Sequence, residues 1–99
     1  KKYQKEECTI NISCKKDSEV VIRTIFSKYL ENNSLGMDSL ERSEITNDEV
    51  KLKAIIVTTR PTLIEDLVTN ISAEIGVSYV SWKHEKLYSS DNEDLDDDE

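Results

Sequence analysis

Apolar and polar residues alternate from Glu7 to Cys14. Cys8, Ile10, Ile12 and Cys14 fall on one side, and Thr9, Asn11 and Ser13 on the other. A period of two belongs to a strand with one buried face. The period then changes. Ile22, Ile25, Phe26 and Tyr29 recur at i, i+3, i+4 and i+7, which predicts a helix with one apolar stripe. Asp17 or Ser18 is placed to cap it, and Glu19 suits the positive end of its dipole. Asn32-Asn33-Ser34 should end it. A weaker strand follows from Leu35 to Ile45, with Leu35, Met37 and Leu40 as core candidates. Leu40 breaks the alternation, which predicts a bulge. Thr46-Asn47-Asp48 reads as a hairpin turn. The clearest strand is Val50 to Thr58, where Val50, Leu52, Ala54 and Ile56 alternate with Lys51, Lys53, Ile55 and Val57. Thr62-Leu63-Ile64-Glu65 has the form of a capping box behind Pro61. Ile64, Leu67, Val68, Ile71 and Ile75 then keep helical spacing, and Gly76 is placed to stop the helix through a left-handed C-cap. Val77 to His84 is the last strand, with Val80 and Trp82 on one face.

The order is strand, helix, strand, strand, helix, strand. With right-handed crossovers, this order folds as a ferredoxin-like plait, an α+β domain with a four-stranded antiparallel sheet and both helices on one face. Strands one and three are central. Val80 and Trp82 should be buried against the helix layer with Ile10, Leu52, Ile56, Phe26 and Leu67. The other sheet face is left uncovered. Ile55, Val57 and Tyr79 point to it and form the candidate interaction face, suited to a weak homodimer or a docking contact.

Charge divides the chain. Lys1 to His84 carries 12 Lys/Arg against 13 Asp/Glu, whereas Glu85 to Glu99 carries 8 acids against one Lys. Nearly all of the net charge of -8 is therefore tail. The run from Asp91 to Glu99 holds one apolar residue and repels itself, so it is expected to be disordered. This divides the chain into a folded domain, 1–85, and an acidic tail, 86–99. Lys1-Lys2, Lys15-Lys16 and Lys51/Lys53 are too scattered to make the basic footprint that phosphate contacts need, so nucleic acid is not an expected partner. No apolar run approaches a membrane span or a signal-peptide core. The chain opens on Lys1 rather than Met, as a piece cut from a larger protein would.

Candidate chemistry is sparse. Cys8 and Cys14 lie on one strand face but about 20 Å apart, beyond any disulfide, and read as small buried hydrophobes. His84 is the single histidine and fixes no metal geometry alone. The first strand–helix connection, Cys14-Lys15-Lys16-Asp17-Ser18, has no glycine. It lacks the phosphate cradle of acylphosphatases. Asp17 also stands where the copper chaperones of this fold place their second cysteine. No nucleophile elbow or Gly-rich loop occurs. No catalytic, cofactor or metal residue is assigned. Asp94 to Glu99 resembles the start of a calcium loop, but it lacks the glycine at position six and ends before position twelve. The tail is expected to collect divalent ions weakly, and no specific magnesium site is expected.

Cys8-Thr9-Ile10-Asn11-Ile12, Leu52-Lys53-Ala54-Ile55-Ile56-Val57 and Gly76-Val77-Ser78-Tyr79-Val80-Ser81-Trp82 resemble the C-terminal domain of the MgtC/SapB family. The likeness runs from about Tyr3 to Glu85. It implies an ACT-like βαββαβ domain on the cytoplasmic side of a bacterial inner-membrane protein, with that protein's membrane-spanning part as its partner. The family is linked to growth under magnesium limitation and to virulence. These motifs are fold signatures and carry no functional residue across, and the acidic tail departs from the family pattern. The resemblance thus implies a non-catalytic regulatory or assembly domain. The alternative is a free-standing ACT-like domain that binds a small molecule and regulates an enzyme.

Overall fold

The computed structural model describes residues 4–87. The acidic run from Asp91 onward lies outside the described residues. Seven elements follow one another. Strand β1 spans Lys5–Lys15, a short 3-10 turn Lys16–Ser18, helix α1 Glu19–Asn32, strand β2 Met37–Glu44, strand β3 Glu49–Thr58, helix α2 Thr62–Ser72 and strand β4 Val77–Leu87. The sheet order is β2-β3-β1-β4, with every neighbouring pair antiparallel. This is the ferredoxin-like plait the sequence predicts, with β1 and β3 central. Strand β4 runs three residues past its expected end at His84.

The core is built from the inward positions of the two central strands. Cys8, Ile10, Ile12 and Cys14 of β1 and Val50, Leu52, Ala54 and Ile56 of β3 are fully buried, beneath Ile22, Phe26, Ile64, Leu67 and Ile71 of the helices. Leu30 closes one end. Ile25, Tyr29, Leu35, Met37, Leu40, Val68, Val77, Val80 and Trp82 are half-buried around it. The bulge in β2 falls between Met37 and Ser39, just before Leu40. Trp82 is half-buried rather than enclosed, because β4 is an edge strand with no neighbour on its outer side among the described residues.

The helix ends differ from the sequence reading. Ser18 sits at the N-cap of α1, but its hydroxyl does not cap the helix. It donates instead to the Ile75 carbonyl at 2.9 Å. The C-terminal end of α1 is a Schellman motif. The Leu35 N–H donates to the Leu30 carbonyl at 2.8 Å and the Ser34 N–H to the Glu31 carbonyl at 3.3 Å. Ser34 takes the left-handed conformation, φ 56°, that such a motif usually gives to glycine. Arg60 completes this end by donating from Nη2 to the Asn33 carbonyl at 2.6 Å.

The capping box at Thr62 does not form. Pro61 is the N-cap, no side chain caps α2, and Thr62 already lies in the first turn. The N–H groups of Leu63 and Ile64 turn back to the carbonyls of Arg60 and Pro61. Helix α2 also stops at Ser72, short of Ile75, which is 90% exposed. Gly76 does have a left-handed backbone, φ 93°, but in the connection to β4 rather than as the cap of α2.

Candidate functional site

The uncovered sheet face is arranged in rows set by the strand register. One row is Ser43, Lys51, Ser13, Tyr79 and the next Glu41, Lys53, Asn11, Ser81. Then come Ser39, Ile55, Thr9, Lys83 and, last, Val57, Glu7, Glu85. Ile55 and Val57 are both half-buried and adjacent on β3. Thr9, flanked in its row by Ile55 and Lys83, is only 8% exposed although no helix among the described residues covers it. The aliphatic stem of a flanking lysine can cover such a position while its ammonium stays in water. Ile55, Val57 and Thr9 thus make a small apolar patch near the end of the sheet where β1 begins. A cleft of about 440 Å³ continues the patch past Val57, lined also by Lys5, Leu35, Thr58 and Arg60.

Tyr79 shares this face but not this patch. It is 57% exposed, opposite Ser13, two rows and two strands from Ile55. It belongs to the other end of the molecule, where three connections meet. The Lys15 N–H donates to the Gly76 carbonyl at 2.8 Å and the Lys16 N–H to the Asp48 carbonyl at 2.7 Å, beside the Ser18–Ile75 bond. A side chain on Gly76 would fall onto the Ser18 hydroxyl, so the three loops close tightly. Val20, Val21, Ile45 and Ile75 are exposed around this end. The sequence reading missed this group because Ile75 keeps helical spacing with Ile71, and nothing local shows that α2 ends before it.

The ionisable groups do structural work. Glu19 accepts from Arg42 Nε at 2.8 Å and Arg23 Nε at 2.9 Å, joining α1 to β2. The Arg42 hydrogen bond is the main reason its carboxyl lies below the usual range, with Arg23 adding and burial opposing. Burial pushes both cysteine thiols up, and the nearby carboxylates Glu6 and Glu7 for Cys8, Glu19 and Glu49 for Cys14, add to this. Neither is paired, and neither is a thiolate nucleophile at neutral pH. Burial, and then the charge of Asp66, also raises Tyr29, whose hydroxyl donates to the Leu63 carbonyl at 2.8 Å. His84 stacks on Trp82, ring centroids 5.4 Å apart, and pairs through Nδ1 with Glu6. Among the described residues, no three His, Cys, Asp or Glu side chains gather as a metal site would need. No helix among them is long and apolar enough to cross a membrane.

Three comparisons bear on this arrangement. The family model for the MgtC/SapB C-terminal domain matches residues 9–82. No curated protein sequence matches the chain. Among solved structures, the C-terminal domain of the MgtC protein from Mycobacterium tuberculosis is similar at a TM-score of 0.74 and 18% identity. The match covers 86% of this chain and 93% of that one. The ACT domain from GTP pyrophosphokinase of Chlorobium tepidum is similar at 0.66 and 13% identity, covering 78% and 96%. A de novo designed protein, Foldit4, is similar at 0.67 and 16%, covering 82% and 96%, so likeness at this level speaks for the fold alone. The family match carries more, because it spans β1 from Thr9 through to Trp82 of β4: this chain belongs to the MgtC/SapB family, as its C-terminal domain.

Proposed function

We propose that this is a non-catalytic regulatory or assembly domain on the cytoplasmic side of a bacterial inner-membrane MgtC/SapB protein. Its uncovered sheet face docks on the rest of that parent. The observation that carries this reading is the Ile55–Val57–Thr9 patch. It is apolar, no helix among the described residues covers it, and it lies at the end of the sheet where the chain enters β1. A preceding membrane-spanning part would arrive at this end. Two further facts support a role without chemistry. The thiols are buried with raised pKa values, and Glu19 is held by Arg23 of its own helix and by Arg42 of β2. The family's link to magnesium limitation and virulence supports a role for the parent under those conditions.

Ile55→Lys with Val57→Lys tests this in the full-length parent. Both positions point away from the core, so the double variant should fold normally. It should lose the parent's growth advantage at low magnesium. Unchanged growth, with normal protein levels, contradicts docking through this face.

A further inference from the structure

The cleft of about 440 Å³ beyond Val57 lies between the connection from α1 to β2 and the connection from β3 to α2. Lys5 and Arg60 line it, against one carboxylate, Asp38. Both cations are exposed, and among the described residues neither stands in an ion pair. Arg60 is fixed at both ends. Its backbone N–H donates to the Thr58 hydroxyl at 2.9 Å, and its Nη2 donates to the Asn33 carbonyl at 2.6 Å. The other N–H groups of its fork have no partner among the described residues, and a guanidinium fork matches a carboxylate. At Gly36 a side chain would meet nothing within 4 Å, so the cleft is open on that side.

Carboxylates leave the sheet next to this cleft. Leu87, the last residue of β4, stands directly opposite Lys5, and Gln4 Nε2 donates to the Leu87 carbonyl at 2.9 Å. The pairing of Glu6 with Thr58 puts the cleft two strand spacings away, about 10 Å. Residues 88–99 hold seven Asp or Glu and no Lys or Arg. The first acid, Asp91, is four residues beyond Leu87, a reach of up to about 14 Å, and Glu99 reaches up to about 40 Å. Asp91 can therefore meet the cleft, and every later acid has slack. Other cations are placed less well. Lys53 shares its row with Ser81, about 20 Å back along β4, and Glu7 and Glu85 stand on the way. Lys83 and Lys86 flank Glu85 on the strand that carries the tail.

We propose that this cleft is a carboxylate site and that its occupant is the chain's own acidic tail, residues 91–99, folded back in cis between Lys5 and Arg60. A tether this short holds the acids at about millimolar effective concentration, so a site too weak to take a free peptide fills within one molecule. Val57 lines both the cleft and the docking patch, so the seated tail borders that patch. The contact does not depend on what docks there.

A nitroxide on Leu95→Cys of the full chain tests this through paramagnetic broadening of amide NMR signals. Cys8 and Cys14 are fully buried and escape the label. At about 0.1 M salt, where screening acts over roughly 10 Å, the amides of Leu35, Gly36, Thr59 and Arg60 should broaden more than those of Lys28, Lys51 and Lys53. At about 1 M salt, with screening over roughly 3 Å, that excess should disappear. Lys5→Gln and Arg60→Gln should each weaken the contact about two- to fivefold. Gly36→Lys adds a cation in open space and should strengthen it. Each variant is checked by circular dichroism for an intact fold. Labelled chain mixed with isotope-enriched, unlabelled chain should show no broadening, because the contact is within one molecule. Broadening that is absent, unchanged by salt, strongest at Lys51 and Lys53, unaffected by Lys5→Gln with Arg60→Gln, or present between molecules would overturn the proposal.

Discussion

Gly76 and Ser18 should be energetically coupled, and the size of the coupling follows from their geometry. Gly76 has φ 93°, a conformation that costs an L-residue about 1–2 kcal/mol. A methyl group there would also meet the Ser18 hydroxyl. The Ser18 Cβ, 3.2 Å away, and the Lys15 Cβ, 3.5 Å away, leave little room for the hydroxyl to yield by a small shift. The hydroxyl must rotate and give up its bond to the Ile75 carbonyl, a loss of about 1 kcal/mol. Gly76→Ala should therefore destabilise by about 2–3 kcal/mol, and Ser18→Ala by about 1 kcal/mol. In the double variant the hydroxyl is already gone, so only the backbone strain and the tight Cβ contact remain. The double should cost about 1 kcal/mol less than the sum of the singles. Urea unfolding followed by tryptophan fluorescence and circular dichroism measures all four species of the cycle. Simple additivity would show that the hydroxyl does not occupy the space next to Gly76, and the account of how the three loops close would be wrong.

Other positions yield further expectations. Ser34→Gly should raise stability by roughly 0.5–1 kcal/mol, because glycine takes the left-handed Schellman position without strain; destabilisation in urea melts would refute that geometry. Trp82→Ala should cost about 2 kcal/mol, less than the roughly 3–5 kcal/mol of Phe26→Ala, because the indole is half-buried and Phe26 fully buried; an equal loss would mean that β4 is covered. The lowered pKa of Glu19 contributes stability that is fully present above its unfolded pKa and is lost as pH falls through the folded one. Glu19→Gln should therefore narrow the stability gap with the wild type on acidification, and a gap that is constant down to low pH would refute the pairing. A magnesium titration followed by amide NMR should leave residues 7–82 without saturable shifts below millimolar concentration, whereas saturation there would establish a specific site.

The inward pattern was legible because burial on β1 and β3 is complete. Cys8 to Cys14 alternates without a break, Val50 to Ile56 is interrupted only by the outward Ile55, and one helix layer covers every inward position of both strands. The helix ends were less legible. Thr62 and Glu65 have capping-box spacing, but Pro61 in helical conformation moved the start forward by one residue. Ile75 kept the period after the helix had stopped. The candidate face was readable in parity but not in register. Ile55, Val57 and Tyr79 share a side by odd numbering on two strands. Only the pairing of Tyr79 with Ser13, and of Ile55 with Thr9, shows that they sit at opposite ends. The Glu19–Arg42 link joins residues 23 apart and had no local signal at all.

The account stands or falls on what covers the Ile55–Val57 patch in the assembled parent. A photoreactive benzoylphenylalanine at position 55 of the full-length protein, irradiated in intact membranes and mapped by mass spectrometry, reads this directly. The account predicts cross-links from position 55 to the parent's own membrane-spanning part, and none from a control at exposed Lys28 on α1. Cross-links from Lys28 but not from position 55 would contradict it, because the helix layer and not the open sheet face would then be the docking surface.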